Sequence, residues 1–317
     1  MKIISAPELD RLFTFPKVID ALAEAFATGV NAPLRHHHTI EQPGRADQTL
    51  LLMPAWSKDV VNGHIGVKIV TVTPDNGKTG LPAVMGSYIL MDGNTGAPQA
   101  LIDGARLTVW RTSCASALAA RYLAPANPET LLVVGAGELA PFLARAHASV
   151  RPYRRIIVWN RSTPNAEKLA AALRAEGFDA SATTDLDAAI PQADTITAAT
   201  LSSTALVKGA LVKPGAHIDL VGAFTPLMRE SDDDCIRRAS IFVDTYEGAT
   251  KEGGDIVQPL KAGLITETDI KADLHALAAG KHKGRASADE ITLFKSTGAA
   301  LEDLAAAMLA TELSAEG

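Results

Sequence analysis

Leu131-Leu-Val-Val-Gly135-Ala-Gly137-Glu-Leu-Ala140 decides the fold. Four apolar residues, two of them β-branched, have the pattern of a buried parallel strand. A Gly-x-Gly-x-x-Ala turn follows, and Pro141-Phe-Leu-Ala-Arg-Ala-His-Ala then reads as a helix. Strand, glycine-rich turn and helix in this order form the arrangement that holds the pyrophosphate of a dinucleotide. Gly135 permits the tight turn, and Gly137 lets a phosphate approach the backbone. Ala140 is small enough for close helix–strand packing, and the helix N-terminus offers unpaired N–H groups.

Downstream the pattern alternates regularly. Strands are expected at 155–160, 178–182, 194–198, 217–221 and 241–244, with helices at 165–176, 186–189 and 232–239 between most of them. This predicts a doubly wound parallel sheet. Thr200-Leu-Ser-Ser203 and Gly222-Ala-Phe-Thr225 follow two of these strands, at the carboxyl ends where such sheets bind ligands. The second strand ends Trp159-Asn-Arg161-Ser-Thr163, without the carboxylate that would accept hydrogen bonds from both ribose hydroxyls of NAD. A guanidinium pairs with a 2′-phosphate instead. Arg161, Ser162 and Thr163 therefore point to NADPH as the preferred cofactor, with NADH as the second choice.

Upstream the pattern differs. Residues 6–29 read as a helix with Val18, Ala21, Leu22 and Phe26 on one face, and strands follow at 48–56, 63–72, 81–90 and 98–102. His36-His-His38 invites a metal reading, but on an extended stretch the three alternate faces and cannot converge on one ion. No metal is expected there. Lys68 lies between Val67 and Ile69, so it faces either solvent or a ligand. A helix opens at Gly104, and Arg111 early in it gains nothing from the helix dipole. It serves either a ligand anion or a structural ion pair. Residues 260–280 read as loop and short helices, and 291 onward as a strand or turn followed by an apolar helix.

A chain of 317 residues is long for one domain, and 47% hydrophobic but only 5% aromatic residues suit Ala-rich α/β architecture. The change of pattern near 118–130 predicts a boundary between an N-terminal domain and a dinucleotide-binding domain. A net charge of −6 argues against a nucleic-acid surface. Cys114 and Cys235 are far apart and read as small apolar residues of a reducing compartment. The N-terminus lacks a signal-peptide core and no long apolar run occurs, so a cytoplasmic protein off the membrane is expected.

Leu52-Met-Pro-Ala-Trp56, Val67-Lys-Ile-Val-Thr71, Trp110-Arg-Thr112, Val134-Gly-Ala-Gly137, Trp159-Asn-Arg161, Lys213-Pro-Gly-Ala-His217, Val221-Gly-Ala223 and Phe294-Lys-Ser-Thr-Gly298 together resemble the ornithine cyclodeaminase/μ-crystallin family over essentially the whole chain. The resemblance implies a homodimer and a Rossmann dinucleotide domain over 119–294, set within a discontinuous α+β substrate and dimerisation domain over 1–118 with a C-terminal return at 295–317. It implies that Arg35, Lys68 and Arg111 hold a substrate carboxylate, with Lys68 also placing a proton near the imine nitrogen. It implies that Thr112, Glu138, Leu139, Asn160, Arg161, Ser162, Thr200, Leu201, Val221, Gly222, Phe224 and Ser296 line the cofactor with Gly135, Gly137 and Thr163.

One departure bears on the reaction. Ornithine cyclodeaminases and the related alanine dehydrogenases carry an Asp after the Val-Gly-x triplet, and here that position is Phe224. A phenyl ring neither accepts a proton nor activates water. The chain is therefore more similar to the imine-reducing branch, whose substrates are cyclic 2-imino acids such as Δ1-pyrroline-2-carboxylate, reduced to L-proline, or Δ1-piperideine-2-carboxylate, reduced to L-pipecolate. Deamination or dehydrogenation of an amino acid, and non-catalytic binding of NADPH, stay open as alternatives.

Overall fold

The structure, a computed structural model, describes residues 1–315. Two compact units divide the chain, one made of 1–111 and the stretch from 299 onward, the other of 112–298. The first division falls inside the helix Gly104–Leu123 rather than in a linker.

In the first unit, seven strands form one sheet among the described residues. They are β1 (Lys2–Ile4), β2 (Val30–Asn31), β3 (His36–Ile40), β4 (Gln48–Ser57), β5 (His64–Val72), β6 (Val84–Asp92) and β7 (Pro98–Asp103). The order is β1-β7-β6-β5-β4-β2, with β3 also on β4; β1 runs parallel to β7 and the other pairs are antiparallel. Period-two alternation gives each strand two faces. Along β5, Gly66, Lys68 and Val70 are buried, whereas Ile65, Val67 and Ile69 are half-buried on the opposite face. The helix Ala300–Ala315 packs on β4, β5 and β6, and the helix Phe15–Thr28 packs on it in turn. Gly66 is required by a close approach: a Cβ there would lie 2.0 Å from the Tyr88 hydroxyl.

In the second unit, eight parallel strands form a sheet among the described residues: β8 (Thr130–Val134), β9 (Arg155–Trp159), β10 (Ala180–Thr183), β11 (Thr195–Ala198), β12 (His217–Leu220), β13 (Ala239–Val243), β14 (Ile270–Asp273) and β15 (Ile291–Lys295). The order β10-β9-β8-β11-β12-β15-β13-β14 reverses direction between β8 and β11, the switch point of a doubly wound sheet. Both faces are covered, as a parallel sheet requires. Leu131 and Val133 enter one apolar cluster, and Leu132 and Val134 enter the other with Ile157, Ile196 and Ile218. The α/β class read from the sequence is the class observed.

Several local expectations are corrected. The single helix over 6–29 is two helices, Ala6–Leu12 and Phe15–Thr28. Pro16 has no N–H to donate to Leu12, so the second helix restarts with Pro16 in its first turn. The strand expected from 81 begins at Val84, and the three-residue β1 had no periodicity to announce it. Residues 260–280 contain β14, whose short Ile-Lys-Ala-Asp sequence carries no strand signal of its own and is set by pairing with β13. His36, His37 and His38 are exposed on β3. Among the described residues, no helix is long and apolar enough to cross a membrane.

Candidate active site

In the first unit, three elements bring charge into the interior. Strand β5 supplies Lys68, the helix from Gly104 supplies Thr108 and Arg111, and the C-terminal helix supplies Glu302 and Asp303. Lys68 is 2% exposed and Arg111 5%, so neither is solvated along its length. Lys68 Nζ lies 2.9 Å from both oxygens of Asp303, with hydrogen-bond geometry to Oδ1, and donates to Thr108 Oγ1 at 3.2 Å. Arg111 donates from Nε to Asp303 Oδ1 at 3.0 Å and from Nη1 to Glu302 Oε2 at 2.7 Å.

Burial, followed by the neighbouring Arg111 charge, pulls the Lys68 ammonium down to about 8, against the opposing pull of Asp303. Burial also works against the Arg111 charge, but Asp303 and Glu302 outweigh it and hold the guanidinium above its ordinary value. Arg35 is half-buried in the segment before β3, near enough for its charge to depress Lys68 further. Lys68 and Arg111 are thus held in the interior by Asp303 and Glu302, with the Arg35 charge close to Lys68.

In the second unit, the other expected residues gather at one edge, beyond the carboxyl ends of five parallel strands. Gly135, Gly137, Glu138 and Leu139 follow β8; Asn160, Arg161, Ser162 and Thr163 follow β9; Thr200 and Leu201 follow β11; Val221, Gly222 and Phe224 follow β12; and Ser296 follows β15. Thr112 is not at a strand end but buried in the helix Gly104–Leu123. Gly135 has φ +115°, and a Cβ there would lie 2.8 Å from the Ala199 carbonyl oxygen, so only glycine makes this turn. A Cβ on Gly137 would meet no atom within 4 Å, which leaves open space over the turn. The helix Ala140–Val150 starts beneath it. These features fit a nucleotide pyrophosphate. Arg161, Ser162 and Thr163 are exposed, and so are Leu201, Phe224 and Leu227.

Sequence reasoning missed the acids that organise both sets. Glu302 and Asp303 were absorbed into an apolar helix, although two adjacent acids among Ala and Leu near its start were a readable signal. Glu230 has its carboxylate filled by N–H and O–H donors of the loops after β11 and β12. Burial pushes it up to about 7, against the pull of Lys295. Asp244 accepts from Ser296 Oγ and from the N–H groups of Thr297 and Gly298, which holds the loop after β15.

The sequence profile of the ornithine cyclodeaminase/mu-crystallin family matches residues 3–317. The chain belongs to this family. Among relatives, the Δ1-pyrroline-2-carboxylate reductase of Colwellia psychrerythraea is 35% identical over 312 residues, covering 97% of each chain. Among solved structures, the Δ1-pyrroline-2-carboxylate reductase of Thermococcus litoralis in complex with NADH and L-proline is 34% identical, with a TM-score of 0.93 over 100% of this chain and 98% of that one. An archaeal alanine dehydrogenase dimer with bound NAD is 30% identical, with a TM-score of 0.91 over 100% of this chain and 96% of that one. Proteins named for two different reactions thus share this fold over the whole chain.

Proposed function

We propose that the protein is a nicotinamide-dependent reductase of cyclic 2-imino acids, with Δ1-pyrroline-2-carboxylate and its conversion to L-proline as the leading reaction. The observation that carries this reading is Phe224. Where the cyclodeaminase and alanine dehydrogenase branch has a carboxylate, this chain presents a ring that is 43% exposed. The nearby Glu230 does not substitute for it, because its lone pairs are already filled by donors. An imine that arrives preformed needs no base to make it. It needs its carboxylate held, a proton at nitrogen and a reductant at carbon.

The cations of the first unit meet the first two needs. The carboxylate is bound by Arg35, Lys68 and Arg111, with Arg111 kept rigid by its two acidic partners. Lys68 carries a proton at neutral pH, and its lowered affinity for that proton favours release to the imine nitrogen. A bound reduced nicotinamide would supply the hydride for the imine carbon. Similarity to the Colwellia and Thermococcus reductases supports the substrate class.

The assay that tests this follows NADPH absorbance with cyclic imino acids of both ring sizes, and ammonia release from L-ornithine with NAD. Rapid reduction and no ammonia are expected. Ornithine turnover at a rate comparable to imine reduction would overturn the argument from Phe224.

Preference for NADPH rests on Arg161 and on the absence of a carboxylate at the end of β9. Arg161→Ala is expected to lower the NADPH-over-NADH preference by about tenfold or more, from a charged hydrogen bond worth roughly 1.5–3 kcal/mol. Equal losses for both nucleotides would make Arg161 a fold residue and remove the preference.

A homodimer would bury the apolar sheet face opposite Lys68 in the first unit. Leu52, Ile65, Val67, Ile69, Ile89 and Leu101 are half-buried neighbours on that face. Sedimentation of the wild type should give a dimer, and a monomer at micromolar concentration would overturn it.

A further inference from the structure

Thr200 and Gly222 stand on separate loops after the adjacent strands β11 and β12, and one side chain joins them. Glu230 Oε1 accepts from the Thr200 N–H at 2.6 Å and from its hydroxyl at 2.8 Å. Oε2 accepts from the Gly222 N–H at 2.7 Å and from Ala223 at 3.3 Å. The loops approach so closely that a Cβ on Gly222 would lie 2.0 Å from the Thr200 carbonyl oxygen and 2.5 Å from Glu230 Oε1.

Glu230 is itself anchored. Asp255 Oδ1 accepts from the N–H groups of Glu230 and Ser231 and from the Ser231 hydroxyl, each at 2.9 Å. Asp255 is paired through Oδ2 with Lys295 Nζ at 3.3 Å, and both side chains are fully buried. Lys295 is the last residue of β15, so the anchoring runs into the sheet. A fully buried carboxylate is costly unless its lone pairs are filled. Here they are filled by the loops expected to receive the nucleotide.

We infer that Glu230 is a positioning residue for the nicotinamide nucleotide: its carboxylate clasps the loops after β11 and β12 into one binding surface. This deepens the proposed function and rests on it. In this role Glu230 acts through Thr200 and the Gly222–Ala223 backbone. The requirement is for two acceptor oxygens. Gln offers one acceptor and one donor, so its NH2 group must face N–H groups on one loop or the other.

The test is steady-state kinetics of wild type, Glu230→Gln and Glu230→Asp, with the Michaelis constants for nucleotide and imino acid measured separately. For Glu230→Gln the nucleotide KM should rise about ten- to a hundredfold, the effect of one buried donor left unsatisfied. The imino-acid KM should stay near its wild-type value, because the cations proposed for the substrate lie in the other unit. Glu230→Asp keeps the charge but shortens the reach, so it should give a smaller rise, and it decides the matter if Glu230→Gln does not fold. A purely structural role would lower the folded fraction, and hence kcat, and leave both KM values unchanged. That result overturns the clasp. If the wild type binds and oxidises NADPH normally while the variants keep its nucleotide KM, the clasp fails and the reductase reading stands. If the wild type binds no nicotinamide nucleotide, the reductase reading fails and the clasp falls with it.

Discussion

Arg111→Met should lower kcat/KM for the imino acid by two to four decades. The guanidinium is 5% exposed, and removing one partner of a buried charge pair, here the one proposed with the substrate carboxylate, costs about 3–5 kcal/mol, at about 1.4 kcal/mol per decade. Methionine keeps the bulk and removes the donors. The loss has two sources that separate experimentally. Glu302 and Asp303 are left with less compensation, which lowers the melting temperature. The substrate carboxylate loses a planar donor fork, which raises KM for the imino acid in protein that is still folded. Efficiency per folded molecule within about threefold of wild type would mean that Arg111 only holds the C-terminal helix.

Lys68→Met should reduce kcat by about 10²–10⁴, the usual contribution of a positioned proton donor. The pH profile is the sharper readout. Burial first, and then the Arg111 charge, lower the Lys68 pKa to about 8, so its proton is present at neutral pH and lost above about 8. Wild-type kcat should therefore be level below that pH and fall roughly tenfold per unit above it. Unfolding does not mimic this limb through Lys68. With a folded pKa below the unfolded one, the unfolded state binds more protons between the two values, so this group's contribution to stability rises with pH over that window. In Lys68→Met the limb should disappear. A variant that keeps the wild-type rate and the alkaline limb would assign the proton to another group.

How much of this was legible in the sequence follows from the range of the interactions. The dinucleotide half was legible because its signals are local. Leu131–Val134 alternate between two apolar clusters on either side of one strand, and the Gly135 turn needs a φ only glycine adopts freely. Strand, turn and helix are consecutive, so their order alone predicts the switch-point edge. Lys68 in a strand was legible as an anomaly. Its direction was not, because a charge on a strand points into solvent or into the protein depending on what covers each face.

The tertiary structure decided that direction. The C-terminal helix returns to cover one face of the antiparallel sheet and carries Asp303 to Lys68 and Arg111, 235 and 192 residues away in the chain. Glu230 reaches Thr200 and Gly222 through turns with no regular periodicity, and β14 takes its conformation from β13. From the sequence came the glycine turn and the alternation of the parallel sheet, because each is set by residues adjacent in the chain; the grouping of the cations and the departure at Phe224 came from the family resemblance. Only the fold could show which buried acids hold those cations and loops. A long-range ion pair leaves no periodic trace; its partners become neighbours only when the chain closes and desolvates them together.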